Sequence, residues 1–203
     1  MNADAIDGYA SAAAELIPRY EGLSSADLYA SLLRFLPDPP ARMIDVGAGT
    51  GRDAAWFAER GYEVLAVEPV AAFREAVPAY KGHPAIEWLD DRLPDLARVL
   101  GRNESFDVVM VSGVWQHIDD AARKIAMAAL AQLTGDGGAF VLSLRHGPGS
   151  PARPCYPCTA EDTVALAKAN GLRVVYSERR GSIQPQNRAA GVNWRWLVLT
   201  QAG

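Results

Sequence analysis

The stretch Met43-Ile44-Asp45-Val46-Gly47-Ala48-Gly49-Thr50-Gly51-Arg52-Asp53 decides the fold of this chain. A short apolar run that ends at Val46 is typical of a buried strand. The alternating glycines that follow form a turn, because glycine reaches positive φ without steric cost and lets a ligand approach the backbone. The residues from Arg52 onward are predicted to begin a helix. In doubly wound α/β sheets, ligands bind at such strand-to-helix turns.

Beyond this stretch the chain alternates between short apolar runs and amphipathic runs. Strands are predicted over 43–46, 63–67, 86–89, 106–112, 139–144, 172–176 and 194–200. Helices are predicted over 52–60, 71–80, about 119–133 and 159–170. This alternation predicts an α/β fold, a doubly wound, seven-stranded, mostly parallel sheet with helices on both faces. No strong helical pattern separates the last two strands, so we expect them to form an antiparallel hairpin.

The first 40 residues have a different, helical pattern. An Ala-rich helix is predicted over 5–17, and Ser24 or Ser25 can cap a second helix. Its apolar residues recur at a spacing of three and four until Pro37-Asp38-Pro39-Pro40 ends it. At 203 residues the chain has the length of one domain, so we expect 1–203 to form one domain with a helical segment at 1–40 and a core at 41–203.

Composition excludes several classes of protein. Hydrophobic residues make up 49% of the chain, which is too many for a disordered protein. The longest apolar runs are far shorter than a membrane span, which needs about 18 residues. Asp4 and Asp7 stand where a secretory signal would be basic, so we expect a cytoplasmic protein. The net charge of −4 argues against a nucleic-acid partner or an anionic membrane, both of which need a basic face.

Cys155 and Cys158 are the two cysteines of the chain, and their spacing is CxxC. A structural zinc would need a second ligand pair, and the three histidines are not spaced to supply one, so no metal is expected. The pair lies in a proline-rich loop that a helix follows. Two alternatives stay open: incidental thiols, or a redox or regulatory pair.

The glycines at 47, 49 and 51 are spaced GxGxG, and Arg52 stands where a dinucleotide-binding GxGxxG motif has its third glycine. This spacing, with Asp45 two residues before it, resembles motif I of the class I S-adenosylmethionine-dependent methyltransferases. Glu68 ends the second predicted strand, and Asp90 ends the third. The segment 105–118 resembles the fourth motif of the family. The resemblance is strong over 41–145 and extends to 201, and it implies the Rossmann-like methyltransferase fold.

The resemblance implies S-adenosyl-L-methionine as the cofactor, a ligand with a sulfonium and an ammonium group and no phosphate. Glu68 is expected to accept hydrogen bonds from the ribose hydroxyls, and Asp90, in preference to Asp91, to contact the adenine amino group. Arg52 and Asp53 either hold each other or line the methionine end. The expected cofactor-binding residues are Asp45, Gly47, Ala48, Gly49, Gly51, Arg52, Glu68, Pro69, Asp90, Asp91 and Ser112.

The methyl acceptor is harder to place, because methyl transfer needs a general base only when the nucleophile must lose a proton. His117 is the candidate catalytic residue; otherwise it packs at the start of the next helix or touches the cofactor carboxylate. Trp115, Arg145 and His146 are the candidate substrate contacts, with Trp115 alternatively a core residue. Arg145 could bind a carboxylate or phosphate. Three further arginines form an anion-binding cluster with it or are scattered and solvated: Arg179, Arg180 and Arg188.

In small members of the family, N-terminal helices often cover the cofactor, so we expect 1–40, with Tyr9 and Tyr20, to act as a lid. No Asn-Pro-Pro-Tyr or Asp-Pro-Pro-Tyr follows the fourth strand, where enzymes that methylate base or glutamine amines carry it. The expected function is methyl transfer to an oxygen, nitrogen or sulfur of a small molecule, with an anionic molecule as one alternative, by a monomer or homodimer. Two alternatives are a non-catalytic protein that binds S-adenosylmethionine or S-adenosylhomocysteine, and an NAD(P)-binding oxidoreductase.

Overall fold

A single seven-stranded sheet organises the protein in the computed structural model, which describes residues 3–202. Its strands are Ala41–Val46 (β1), Tyr62–Val67 (β2), Ile86–Leu89 (β3), Phe106–Val111 (β4), Thr134–His146 (β5), Leu172–Gly181 (β6) and Asn193–Gln201 (β7). The strand order is β3-β2-β1-β4-β5-β7-β6. The first five strands are parallel, and β7 is antiparallel to both of its neighbours. The predicted doubly wound, mostly parallel sheet with an antiparallel last strand is confirmed.

The chain order reverses between β1 and β4, which are adjacent in the sheet. Loops that leave these two strands diverge to opposite faces and leave a crevice at their carboxyl ends. The glycine turn that follows β1 and the loop that follows β4 therefore face each other. This pairing places the ligand site.

Helices lie before the sheet and between its strands. They are Ala3–Ser11 (α1), Ala13–Glu21 (α2), Ser25–Tyr29 (α3), Arg52–Ala58 (α4), Ala71–Arg74 (α5), Pro78–Lys81 (α6), Ala97–Leu100 (α7), Asp120–Leu133 (α8), Ala160–Ala169 (α9) and Pro185–Ala189 (α10). Asp119 caps α8 by accepting from the Ala122 amide, and Thr159 caps α9 by accepting from the Asp162 amide.

Several boundaries differ from the prediction. The helix predicted over 71–80 is two short helices, because Pro78 begins a new one. Likewise the helix predicted over 5–17 is divided between α1 and α2, and the helix after Ser24 is shorter and is followed by a 3-10 turn at Leu33–Phe35. The last two strands are antiparallel as expected, but α10 connects them, so the connection is not a tight hairpin. Strand β5 begins at Thr134, five residues earlier than predicted, through an irregular glycine-containing stretch.

Both faces of the sheet are buried in hydrophobic clusters. Side chains alternate along a strand, so Ile44 of β1 packs on one face with α8 residues such as Leu130. Met43 packs on the other face with Tyr29 of α3 and Phe57 of α4. Burial on both faces explains why the central strands are continuous apolar runs in the sequence.

The N-terminal helices lie over the carboxyl end of the sheet. Leu16 of α2 packs with Val70 and Phe73 from the segment that follows β2. Gly8 of α1 lies against the backbone of Ala152, where an added Cβ would lie 1.8 Å from the carbonyl oxygen. These contacts tie the first two helices to two loops of the site. Among residues 3–202, none of the helices combines the length and apolar character that crossing a membrane requires.

Candidate active site

The glycines of the turn after β1 are required for different reasons. Gly47, Gly49 and Gly51 have φ values of +80°, +58° and +87°, in the left-handed region that favours glycine. A Cβ on Gly47 would lie 2.3 Å from Val114 Cγ2, and one on Gly51 would lie 2.6 Å from the Trp88 ring. A Cβ on Gly49 would meet nothing within 4 Å. Two of the glycines therefore permit close packing, and Gly49 leaves open space beside the turn.

Glu68 closes the turn from the end of β2. One carboxylate oxygen accepts from the Gly49 amide at 2.9 Å, and the other accepts from the Val70 amide at 2.8 Å. The residue is 4% exposed, and burial raises the pKa of its carboxyl to about 7, against the opposing effect of the two amides. Each oxygen keeps a lone pair for a further donor. Hydroxyl groups of a ligand could supply those donors.

Arg52 and Asp53 hold each other, one of the two alternatives that the sequence left open. Their side chains form an ion pair at 2.7 Å, and both also line the central cavity. The Arg52 guanidinium donates to the Tyr20 carbonyl oxygen, and Asp53 accepts from the hydroxyls of Ser25 and Tyr29. The pair therefore fastens the N-terminal helices to the glycine turn.

The central cavity has a volume of about 450 Å³. This is within the range of small-molecule sites, about 300–1,000 Å³. It extends from the glycine turn to the loops that follow β4 and β5 and to the segment between β6 and β7. The structure brings together at this cavity the following predicted site residues: Gly47, Ala48, Gly49, Arg52, Glu68, Ser112, His117 and Arg145. Tyr9 and Tyr20 of the predicted lid also line it.

Other predicted cofactor contacts lie outside the lining of this cavity. Asp90 has a side chain that is 54% exposed and pairs with Arg74 at 3.2 Å. Asp91 accepts from the amides of Arg98 and Val99 and so holds the start of α7. Asp45 is buried below the turn, where burial and the nearby Asp53 raise its pKa well above the usual range.

Two more predicted cofactor residues, Gly51 and Pro69, are also absent from the lining. Gly51 packs against the Trp88 ring, as its close approach shows.

Two of the candidate substrate contacts also lie elsewhere. Trp115 is fully buried in the hydrophobic cluster that contains Ile44, so it is the core residue of the two alternatives. Trp115 begins the 3-10 turn Trp115–His117 that follows β4. His146 ends β5 beside Asn193 of β7 and lies outside the cavity lining. Of the β5 pair, only Arg145 faces the cavity, because adjacent strand residues point to opposite faces.

His117 is a neutral imidazole with three hydrogen-bond partners. Its Nδ1 lies 2.8 Å from the Pro154 carbonyl oxygen, which can only accept, so Nδ1 carries the proton. Its Nε2 then accepts from the Tyr9 hydroxyl, 2.8 Å away, and from the Gln116 side-chain amide, 3.1 Å away. Burial lowers its pKa to about 4, and the guanidinium groups of Arg145 and Arg153 act in the same direction. The geometry presents a fixed Tyr9–His117 pair to the cavity.

Tyr9 and Arg153 are functional candidates whose contacts the sequence did not indicate. The Arg153 guanidinium lies over the Tyr9 ring, 5.4 Å from its centroid. Tyr9 comes from α1 and Arg153 from the loop after β5, so no local pattern joins them. The weak signal in the sequence was the proline-rich loop that contains Cys155 and follows the strand predicted over 139–144.

Cys155 and Cys158 are free thiols, and Cys155 lines the cavity. Burial raises the pKa of both thiols above the usual range. A raised pKa disfavours the reactive thiolate. Among residues 3–202 no group of three or more His, Cys, Asp or Glu side chains is arranged to hold a metal ion.

Solved structures share this fold along nearly the whole chain. A 1,6-didemethyltoxoflavin-N1-methyltransferase from Burkholderia thailandensis, with bound 1,6-didemethyltoxoflavin and S-adenosylhomocysteine, superposes with a TM-score of 0.73. It is 24% identical, and the match covers 99% of this chain and 88% of that one. A TehB-like SAM-dependent methyltransferase from Corynebacterium glutamicum gives a TM-score of 0.65 at 20% identity, over 98% of this chain and 100% of that one.

Sequence relatives point the same way. An uncharacterized methyltransferase of Mycobacterium tuberculosis (strain ATCC 25618 / H37Rv) is 30% identical over 110 residues, which are 51% of this chain. The match covers 39% of that protein, so the chain spans about two fifths of the length of the curated relatives it matches. The family model described as a methyltransferase domain matches residues 20–201. The chain therefore belongs to the S-adenosylmethionine-dependent methyltransferases.

Proposed function

We propose that the protein transfers a methyl group from S-adenosylmethionine to an oxygen, nitrogen or sulfur of a small molecule. The observation that carries this proposal is one cavity that joins the Gly49–Glu68 turn to the Tyr9–His117 pair. A glycine turn suited to a ligand and a polar pair with hydrogen-bonding capacity thus face the same cavity. Its size supports a small acceptor.

The residues of the turn fit the cofactor. Gly47, Ala48, Gly49 and Ser112 would hold it through the backbone and a hydroxyl, and Glu68 would accept from its ribose hydroxyls. The cofactor supplies a methyl group already activated by a positively charged sulfur. The chain therefore has to supply mainly proximity and alignment. Asp90 remains our candidate for the adenine amino group.

On the acceptor side, we propose that His117 and Tyr9 orient the nucleophile. The Tyr9 hydroxyl can accept a hydrogen bond from an acceptor O–H, N–H or S–H group while it donates to His117 Nε2. If the nucleophile must lose its proton, that proton passes to the Tyr9 oxygen and the Tyr9 proton passes to Nε2. His117 is then the base, and its hydrogen bond to Pro154 holds the ring in place.

The alternatives have less support. A dinucleotide oxidoreductase would bind a pyrophosphate at the helix start, where Arg52 is engaged by Asp53 and the Tyr20 carbonyl oxygen. A non-catalytic binding protein would need the same turn but no ordered Tyr9–His117 pair. We also propose that 1–40 forms a lid on a single domain, because Arg52 and Gly8 contacts join it to the site.

Calorimetric titration with S-adenosylhomocysteine, with NADH as the control, tests the cofactor. Micromolar binding of S-adenosylhomocysteine alone is expected; binding of NADH alone, or of neither ligand, would contradict the proposal. Transfer is tested next by mass spectrometry of small phenols, amines and thiols incubated with protein and S-adenosylmethionine. His117→Gln serves as the matched variant, and absence of methylated product throughout the screen would favour the non-catalytic protein.

The charge of the acceptor is part of the same proposal. We propose that the acceptor is anionic, because arginines outnumber carboxylates around the cavity. The arginines are Arg19, Arg52, Arg145, Arg153 and Arg180, and among residues 3–202 the carboxylates are Asp53 and Glu68. A negatively charged group on the acceptor would balance this excess.

A further inference from the structure

Two of the five arginines at the cavity have no carboxylate partner. Arg52 pairs with Asp53, Arg19 with Glu15 at 2.9 Å, and Arg180 with Glu178 at 3.0 Å. Within residues 3–202, neither Arg145 nor Arg153 forms an ion pair. The excess positive charge of the cavity is therefore concentrated on these two side chains.

In the part of the chain that the structure describes, neither carboxylate of the cavity, Asp53 or Glu68, pairs with Arg145 or Arg153. Asp53 is engaged by Arg52 and by two hydroxyls, and Glu68 accepts from two backbone amides. Like charges near each other in a partly buried site repel, and an anion bound between them removes that repulsion. Arg145 and Arg153 therefore lack a negative charge that a bound anion would supply.

Arg145 and Arg153 line the same cavity as His117 and Cys155. Arg153 is placed over the Tyr9 ring, and Arg145 donates to the Gly147 carbonyl oxygen at 3.1 Å. Gly149 packs against Cys155 in the loop that carries Arg153 and follows β5. Arg153 therefore adjoins the Tyr9–His117 pair, and Arg145 reaches the same cavity from the end of β5.

Apolar and aromatic side chains line the cavity beside Arg145. Trp194 is its cross-strand neighbour on β7, and Val192, Ile183 and Ala190 contribute apolar groups from the segment between β6 and β7. A planar guanidinium matches a carboxylate or phosphate through two parallel N–H donors. Apolar side chains beside such donors suit a ligand with an anionic group at one end and an apolar body.

We propose that Arg145 and Arg153 form an oxyanion-binding site, and that the methyl acceptor is a small molecule that carries a carboxylate or a phosphate on an apolar body. That the bound anion is the methyl acceptor rests on the proposed function, but the anion site itself does not. Trp194 packs against the body of the ligand. The Tyr9–His117 pair then faces the nucleophile, and the arginines set its orientation.

The test is an NMR titration of ¹⁵N-labelled protein saturated with S-adenosylhomocysteine. The probes are benzoate, phenyl phosphate and, as the cationic control, benzylammonium. We expect millimolar binding of at least one anion, with the largest shifts at the amides of 147–155, and no comparable binding of benzylammonium. Tighter binding of benzoate identifies a carboxylate site, and tighter binding of phenyl phosphate identifies a phosphate site.

Variants connect the signal to the two side chains. Arg145→Gln and Arg153→Gln should each weaken anion binding about tenfold, the loss expected for a charged hydrogen bond. Arg145→Lys and Arg153→Lys keep the charge without the two parallel N–H donors of the guanidinium. Their anion affinity should lie between that of the parent protein and that of the Gln variants. Arg179→Gln is the matched control, because Arg179 lies next to Arg180 on β6 but bonds to Asn193 and does not line the cavity. An unchanged affinity for S-adenosylhomocysteine shows that a variant is folded.

Three results would overturn the inference: no anion-dependent shifts within 147–155, equal anion affinity in the Arg145→Gln/Arg153→Gln double variant, or equal binding of benzylammonium. The same titration on unloaded protein separates the two proposals. Anion binding without any S-adenosylhomocysteine binding would leave the oxyanion site standing and remove the proposed function. S-adenosylhomocysteine binding without anion binding would remove the oxyanion site and leave the proposed methyl transfer standing.

Discussion

The two ends of the cavity are built in different ways. The proposed cofactor end is made of backbone and of residues close in sequence: a strand, a glycine turn and a carboxylate that two amides hold. The proposed acceptor end is made of side chains from distant segments, such as Tyr9 of α1, His117 after β4 and Arg153 after β5. Their charges also differ. Glu68 is an acid whose pKa is raised, and His117 is a base whose pKa is lowered.

This difference suggests a physical reason why a fold can retain one binding site while a second site beside it varies. The sheet determines the position of the turn, so the cofactor end needs few specific side chains. The loops and the N-terminal helices supply the acceptor end, and they can vary without disturbing the sheet. Substitutions at the two ends should therefore produce different kinds of defect.

The largest expected effect comes from comparing Gly47, which packs against a side chain, with Gly49, which borders open space. Gly47→Ala combines left-handed strain with a clash against Val114, and it should lower the free energy of unfolding by about 2–4 kcal/mol. Gly49→Ala adds strain without a clash and should cost about 1–2 kcal/mol. Urea denaturation of both variants measures this. Equal losses would show that the Val114 contact does not matter.

The pH dependence of stability should have opposite signs at the two ends. The folded pKa of Glu68, about 7, lies above its ordinary 4.5, so its contribution is complete below pH 4.5 and is lost as the pH rises toward 7. A shift of this size corresponds to about 3 kcal/mol. Glu68→Gln should therefore gain stability relative to the parent protein as the pH rises from 4.5 to 8. Urea denaturation across that pH range measures the unfolding free energy of both proteins. If the two free energies changed in parallel with pH, Glu68 would not have the raised pKa.

His117 should behave in the reverse way. Its folded pKa of about 4 lies below its ordinary 6.5, so its contribution is complete above pH 6.5 and is lost as the pH falls toward 4. The change again amounts to about 3 kcal/mol. In His117→Gln this loss on acidification should be absent, and the same denaturation series measures it. If the loss of stability on acidification persists in His117→Gln, a group other than His117 causes it.

Cofactor affinity should depend on Glu68 by a smaller amount. Glu68→Ala removes the acceptor of the ribose hydroxyls and should weaken binding of S-adenosylhomocysteine by about 1–3 kcal/mol. In the parent protein affinity should also fall below pH 7, because protonation removes acceptor capacity from the carboxylate. Calorimetry at pH 6 and pH 8 tests both points, with Arg179→Gln as the control. An unchanged dissociation constant would remove Glu68 from the cofactor site.

The smallest effect concerns Tyr9. Tyr9→Phe removes the donor to His117 Nε2 and should cost about 1 kcal/mol of stability. Because Tyr9 belongs to the acceptor end, affinity for S-adenosylhomocysteine should change much less than in Glu68→Ala. Denaturation and calorimetry on the same preparation make the comparison. A larger loss of cofactor binding than of stability would move Tyr9 to the cofactor end.

The sequence predicted the elements more accurately than their ends. The seven strands follow from apolar patterns, which are local. The early start of β5 and the position of α10 were missed, because pairing with neighbouring strands decides where an irregular segment becomes a strand. The sequence left Trp115 open between a substrate contact and a core residue for a similar reason: the local pattern around a loop tryptophan is the same whether it faces a ligand or the core.

What the sequence by itself determined is the sheet, the glycine turn and Glu68, because strand periodicity, glycine spacing and the end of the second strand are all readable within a few residues. Only the tertiary structure decided which side chains meet at the acceptor end. Tyr9, His117, Arg145 and Arg153 are separated by up to 144 positions in the chain. Their approach depends on the packing of α1 and of the loop after β5 over the sheet, and no local propensity records that packing.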